Sequence, residues 1–124
     1  MGQSDFIKQQ KEKYKELPPC YCPILNETVH FTPDGLHHLL YNNRRPRKRK
    51  ERYYRASLID HIVEVIKNSN KATRETIKDT HIVLWSIEYL IKNTPRKQIV
   101  KVILKKNKGG KLKFLSTMRT KYIK

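Results

Sequence analysis

The sequence predicts an α+β domain in which helices come first and an antiparallel sheet forms the second half. Before residue 68, apolar residues recur at helical spacing. After residue 80, the chain changes to β-branched and aromatic runs separated by turn signals. The length of 124 residues fits one domain. We expect residues 1–19 to form an N-terminal helix and loop, and residues 20–124 to form a single domain.

The first elements follow from local signals. Residues 4–16 predict a polar helix, which Pro18 and Pro19 end. Residues 28–31 form a short β-like run. Thr32, Pro33 and Asp34 then mark a helix start, because Thr32 can cap the helix, proline suits its first position and aspartate complements its dipole. The leucines of residues 36–40 would give this second helix a buried face.

The later elements are predicted from periodicity. Residues 56–67 carry apolar side chains at helical spacing, whereas residues 69–79 are polar and predict a loop. Residues 81–91, 98–105 and 111–118 predict strands. In the second of these, Val100, Val102 and Leu104 share one face. The sequence 107–110, ending in Gly109-Gly110, is a strong hairpin signal between the last two strands.

The net charge of +17 is the property that most limits the function. A small and very basic domain predicts a polyanionic partner. The sequence has no apolar run long enough for a membrane span and no secretion signal, so we expect a cytoplasmic protein without a membrane role. Cys20 and Cys22 have C-x-C spacing, which favours two reduced thiols over a zinc site. We predict neither a metal nor a cofactor.

Residues 44–55 concentrate eight cations with one anion and two tyrosines. Such a run is often a solvated segment. Here it lies between two predicted helices, and its tyrosine rings can stack on bases while its cations neutralise phosphates. We therefore predict a nucleic-acid-binding surface formed by Arg44, Arg45, Arg47, Lys48, Arg49, Lys50, Arg52, Tyr53 and Tyr54.

The acidic residues do not form the cluster that a two-metal nuclease needs. Asp60 and Glu64 share one helix face, and Glu88 stands alone on a strand. Any phosphodiester cleavage would then proceed without a metal, with an RNA 2′-hydroxyl as nucleophile. A histidine could remove its proton, and arginines could stabilise the developing charge.

The segment Phe31-Thr32-Pro33-Asp34-Gly35-Leu36-His37-His38-Leu39-Leu40 resembles an F-[ST]-x-x-G-x-x-H-L motif. That motif occurs in small bacterial and phage proteins of the barnase, EndoU, colicin and RelE-like nuclease superfamily. In those proteins it is followed by arginines, by an R-x-x-L helix start that Arg55 and Leu58 fit, and by a last strand that Phe114-Leu115-Ser116 fits. The resemblance spans about residues 29–118.

The resemblance implies helices followed by an antiparallel sheet of about four strands, and metal-independent ribonuclease activity or a toxin role directed at RNA. It implies that His38 is the general acid or base and that Ser116 hydrogen-bonds the scissile phosphate. Phosphate binding and charge stabilisation would come from Arg44, Arg45, Arg52 and Arg55.

Two other function classes stay open. The same basic surface suits a non-catalytic module that binds RNA or another nucleic acid. It also suits a basic protein held by an acidic partner, such as an inhibitor or antitoxin. Only the ribonuclease hypothesis requires His38, arginines of residues 44–55 and Ser116 to converge on one face.

Overall fold

Four helices and one large sheet make up the chain in a computed structural model, which describes residues 3–42, 45–92 and 94–122. The helices are α1 (Gln3–Lys15), α2 (Pro33–Leu40), α3 (Arg49–Ser57) and α4 (Ile62–Asn68), with a 3₁₀ turn (Leu58–His61) between the last two. The strands are β1 (Cys20–Cys22), β2 (Glu27–His30), β3 (Tyr41–Asn42), β4 (Arg45–Pro46), β5 (Lys71–Thr76), β6 (Val83–Ile91), β7 (Gln98–Lys106) and β8 (Leu112–Tyr122). The predicted α+β class is confirmed.

The third helix begins earlier than the apolar pattern predicts. Seven of the twelve residues of the basic run 44–55 are helical, because α3 starts at Arg49 and continues through the 3₁₀ turn into α4. Arginine, lysine and glutamate are good helix formers, and charged pairs four residues apart stabilise such a helix. Apolar periodicity alone does not detect a helix whose exposed side is almost entirely charged.

The sheet differs from the predicted antiparallel sheet of about four strands. It has six strands in the order β1-β2-β8-β7-β6-β5 and is mixed, because β2 pairs parallel to β8 through Val29 with Leu112 and His30 with Lys113. The other pairings in this sheet are antiparallel. Strands β3 and β4 form a separate two-stranded ribbon. The pairing of β2 with β8 joins segments that are far apart in the sequence, so no local sequence pattern predicts it.

The loop predicted for residues 69–79 is wrong over most of its length. Residues Lys71–Thr76 form β5, which pairs antiparallel with β6 at the edge of the sheet. Five of its six residues are exposed, and only Ala72 is partly buried. A strand that buries neither face does not need alternating apolar and polar residues, and that alternation is the pattern by which strands are recognised in a sequence.

The core lies between the helices and one face of the sheet. On β7, Val100, Val102 and Leu104 are fully buried, as the alternation predicts. Helix α2 packs on β8, where Leu39 and Phe114 are buried. Helix α1 adds Ile7 and Tyr14 to the same core, and the buried Gln10 side chain donates a hydrogen bond to the carbonyl of Ala56. Within the described parts of the chain, no helix has the length and apolar character needed to cross a membrane.

Candidate nucleic-acid interface

From residue 45 onward, the basic run forms the strand β4, a short connection and most of helix α3. Arg44 lies outside the described residues. The predicted residues with exposed positions are Arg45, Lys48, Arg49, Lys50 and Tyr53. The partly buried ones are Arg47, Arg52, Tyr54 and Arg55. The run therefore has two parts, one available to solvent and one fixed against the body of the protein.

Arg47 fastens the basic run to the end of α2. Its backbone N–H donates to the carbonyl of Leu40 at 2.8 Å. Its Nε and Nη2 donate to the carbonyl of His38 at 3.1 and 3.0 Å. Carbonyls at a helix C-terminus lack partners within the helix, so a guanidinium there satisfies them and complements the dipole. The side chain of Arg47 is only 15% exposed as a result.

Glu51 joins two arginines. Its Oε1 accepts from Nη1 of Arg47 and from Nε of Arg55, each at 3.1 Å. The three residues are spaced by four, so the carboxylate of α3 lies between guanidiniums on either side of it along the chain. Two guanidiniums and one carboxylate leave one net positive charge. In the sequence, Glu51 is the single anion of the run, and its spacing of four residues from Arg47 and from Arg55 is the signal that indicates this role.

Arg55 reaches from α3 to the last strand. Its Nη1 donates to Oγ of Ser116 at 3.0 Å and makes a longer contact of 3.5 Å with the carbonyl of Thr117. Ser116 is 7% exposed. The predicted pair Arg55 and Ser116 is thus brought together, with Ser116 behind the guanidinium. We call Arg47, Glu51, Arg55 and Ser116 the arginine cluster.

The carbonyl of His38 accepts hydrogen bonds from Arg47 of the arginine cluster, and the imidazole of His38 lies on the exposed side of α2. Nε2 lies 4.0 Å from Oδ2 of Asp34, one turn earlier on α2, and the His38 side chain is 47% exposed. Such a surface pair holds a side chain weakly. The structure therefore links His38 to Arg47 through the main chain, and within the described residues it places Asp34 beside the imidazole.

Two tyrosines of the predicted interface differ in their surroundings. Tyr53 is 37% exposed, and its ring centroid lies 4.8 Å from that of Phe6 on α1. Tyr54 is partly buried, its hydroxyl bonds the backbone of Arg119, and the Arg119 guanidinium lies 4.8 Å from the Tyr54 ring centroid. The Arg119 guanidinium thus covers one face of Tyr54, whereas Tyr53 stays partly open.

Burial shifts the pKa values of ionisable side chains in both directions. It lowers the pKa of the Arg47 guanidinium, which nearby Arg55 lowers further and Glu51 raises. Arginine remains protonated at neutral pH despite such shifts. Burial also raises the pKa values of the Cys20 and Cys22 thiols, which are free and buried on β1. In the described chain, no group of three or more His, Cys, Asp and Glu side chains is placed to hold a metal ion.

The arrangement offers an anion a set of donors that the fold already holds in place. Arg47 and Arg55 are oriented by Glu51, and Arg55 is oriented again by Ser116. Exposed cations from β4 and the start of α3 flank this cluster. No protein-family model, no curated protein and no solved structure matches the chain.

Proposed function

We propose that this protein binds RNA through the exposed cations of residues 45–50 and the arginine cluster, and that it cleaves the bound strand without a metal ion. The observation that carries the proposal is the double fixation of Arg55. Glu51 holds its Nε and Ser116 holds its Nη1, so the guanidinium keeps one orientation. A guanidinium with a fixed orientation can present its Nη2 donors to a phosphate oxygen and stabilise a developing negative charge.

Binding rests on charge and on position together. The protein carries +17, and the exposed cations Arg45, Lys48, Arg49 and Lys50 follow one another along the chain beside the arginine cluster. Lysines and arginines bind the phosphate backbone with release of counterions. The affinity for RNA should therefore fall steeply with salt, with little dependence on sequence.

The proposed cleavage uses the substrate's own nucleophile. Neutral His38 removes the proton of a 2′-hydroxyl, the O2′ attacks the adjacent phosphorus, and the bond from phosphorus to the 5′-oxygen breaks. The 5′-oxygen takes a proton from solvent, which leaves a 2′,3′-cyclic phosphate and a 5′-hydroxyl. Arg55 stabilises the additional negative charge on the phosphorane. Ser116, which is buried behind the guanidinium, acts by positioning Arg55.

The direct experiment is incubation of the purified chain with a labelled RNA pool in EDTA between pH 5 and 8. We expect products that end in a 2′,3′-cyclic phosphate, detected by mass spectrometry. His38→Ala should lower the cleavage rate by about 10²- to 10⁴-fold while leaving salt-dependent RNA binding intact. The matched control is His81→Ala, because His81 is exposed and lies just before β6, which is two strands away from the β8 strand on which α2 packs.

A second candidate is a non-catalytic RNA-binding module, which the position of the His38 imidazole beside Asp34 favours. Under this alternative the chain binds RNA and never cuts it. Arg55→Gln should then weaken binding, whereas the matched control Arg74→Gln on the exposed strand β5 should change binding less. Intact RNA over the whole pH range, together with tight binding, would rule out the catalytic function and leave the binding function.

A further inference from the structure

An open groove runs between α1, α2 and β3, beside the arginine cluster. One part of it has a volume of about 360 Å³, and its lining includes Lys11, Lys15, Phe31, Leu36, His37 and Tyr41. It continues into a second depression lined by Ile7, Lys8, Lys11, Leu40, Tyr41 and Arg52. The two share Lys11, Leu40 and Tyr41, so they form one continuous surface, which we call the α1 groove.

The wall of the α1 groove carries a pair of stacked rings. The imidazole of His37 and the ring of Tyr41 lie nearly parallel, with centroids 4.6 Å apart and an interplanar angle of 4°. His37 is exposed and Tyr41 is partly buried. Flat aromatic surfaces of this kind accept a nucleic-acid base, since every base has a π-face.

The opposite side of the α1 groove is cationic. Lys8, Lys11 and Lys15 lie three and four residues apart, so they project from one side of α1. Arg52 reaches the same groove from α3, and its Nε is buried without a hydrogen-bond acceptor among the described residues. Because the Arg52 side chain lines the groove, its positive charge favours an anionic ligand there.

The α1 groove lies next to the arginine cluster, because the end of α2 contacts both and the helix α3 contributes residues to both. The Leu40 side chain lines the groove, while its backbone carbonyl accepts the N–H of Arg47. On α3, Arg52 lies one turn before Arg55. A strand whose phosphate lies on the arginine cluster can therefore continue into the groove within a short distance.

We propose that the α1 groove binds one unpaired nucleotide of a single-stranded RNA, with its base on the His37–Tyr41 stack and its phosphate on Lys8, Lys11 and Arg52. The inference rests on the proposed RNA binding and specifies its substrate as single-stranded, because a paired base has no free face to offer the stack. None of these residues except Arg52 lies in the predicted basic run.

The test measures the affinity of a labelled eight-nucleotide single-stranded RNA by fluorescence anisotropy at several salt concentrations. Lys8→Gln with Lys11→Gln should lower the slope of log affinity against log salt by about 1.4, or about 0.7 for each lost phosphate contact. His37→Ala should weaken binding by about 5- to 150-fold, the effect of losing one base–aromatic stack. The matched charge control is Lys13→Gln with Lys78→Gln, because Lys13 pairs with Asp60 outside the groove and Lys78 lies beyond β5.

Photocrosslinking with an RNA that contains 4-thiouridine locates the base independently. Crosslinks within residues 31–41, together with the reduced salt slope, support the inference. An unchanged salt slope in the double lysine variant, with crosslinks outside residues 31–41, overturns the inference about the α1 groove. If Arg55→Gln nevertheless loses RNA binding in that case, the proposed function is retained. Absence of RNA binding by the unaltered chain overturns the inference and the proposed function together.

Discussion

The arginine cluster and the α1 groove are both cationic, but the fold treats their charges differently. In the cluster, the side chains of Arg47 and Arg55 are 15% and 13% exposed and share the carboxylate of Glu51. In the groove, Lys8 is exposed, and Arg52 keeps an Nε without an acceptor among the described residues. Guanidiniums with a fixed orientation suit a reaction that needs defined geometry. Lysines suit the binding of a nucleic-acid phosphate backbone, which depends on charge more than on geometry.

The largest expected loss of stability comes from a substitution at Gly35, where α2 packs on β8, and it affects both regions because both include residues of α2 or its neighbours. A Cβ at Gly35 would lie 2.6 Å from the carbonyl oxygen of Phe114 and 2.6 Å from Oη of Tyr14. Backbone cannot move aside cheaply, so we expect Gly35→Ala to lower the free energy of unfolding by about 3 kcal/mol. Chemical denaturation measures this loss.

The control for Gly35→Ala is Gly110→Ala in the hairpin turn. There the nearest atom to a new Cβ is the carbonyl oxygen of Asn107 at 3.3 Å, which is tight but not prohibitive. We expect the control to lose less stability than Gly35→Ala. Equal losses at both positions would contradict the close packing of α2 on β8.

A smaller loss of stability is expected from a substitution at Glu51. This substitution tests the arginine cluster separately from the α1 groove, because Glu51 accepts hydrogen bonds from Arg47 and Arg55. Glu51→Gln leaves Arg47 and Arg55 close together without the shared carboxylate. We expect a loss of about 1–2 kcal/mol in the free energy of unfolding, because charged hydrogen bonds are lost at a half-exposed site. RNA affinity at the cluster should fall less than in Arg55→Gln, since the net positive charge rises.

A double-mutant cycle with Arg47→Gln tests the role of Glu51. If Glu51 holds Arg47, the two substitutions together cost less than the sum of the single losses. Strictly additive losses would show that the carboxylate does not couple to Arg47. Glu12→Gln is the control, because the Glu12 carboxylate lies in an exposed pair with Lys15 at 3.7 Å.

A pH-dependent effect is expected at Tyr14, which lines the α1 groove. Burial raises the pKa of its phenol above the usual 10.0, and its hydroxyl donates to the carbonyl of Thr32 at 2.6 Å. A raised pKa in the folded state gives a stability that is complete below about pH 10 and declines as the pH rises beyond it. Tyr14→Phe should cost about 1 kcal/mol at pH 8.

The difference in stability between Tyr14→Phe and the unaltered chain should narrow above about pH 10. The unaltered chain then loses stability as Tyr14 ionises, whereas the phenylalanine of the variant has no group to ionise. Thermal unfolding followed from pH 8 to 11 measures this difference. A gap that stays constant or widens with pH would contradict the assignment of Tyr14 as a buried neutral donor.

The smallest expected effect is at Lys13, on α1 but outside the groove. Its Nζ lies 3.1 Å from Oδ1 of Asp60, with side chains 59% and 45% exposed. Lys13→Gln should change the free energy of unfolding by only about 0–1 kcal/mol, because exposed pairs are screened by solvent. A loss comparable to that of Glu51→Gln would remove the distinction between fixed and surface charges.

Much of the fold was predictable from local patterns. The start of α2 follows from Pro33, the hairpin from the glycines at 109 and 110, and the buried face of β7 from its alternation. Each signal lies within a few residues of the element that it specifies. The strand β5 escaped prediction because an exposed edge strand has no apolar face.

The sequence by itself determined the α+β class, the charge of +17 and the position of the basic run. Only the tertiary structure decided that β2 pairs parallel to β8, and that Arg55 meets Ser116 from 61 residues away. Helix propensity and strand alternation arise from neighbours along the chain. Long-range contacts depend on how α2 and α3 pack on β8, and that packing is the sum of many small interactions that no short segment encodes.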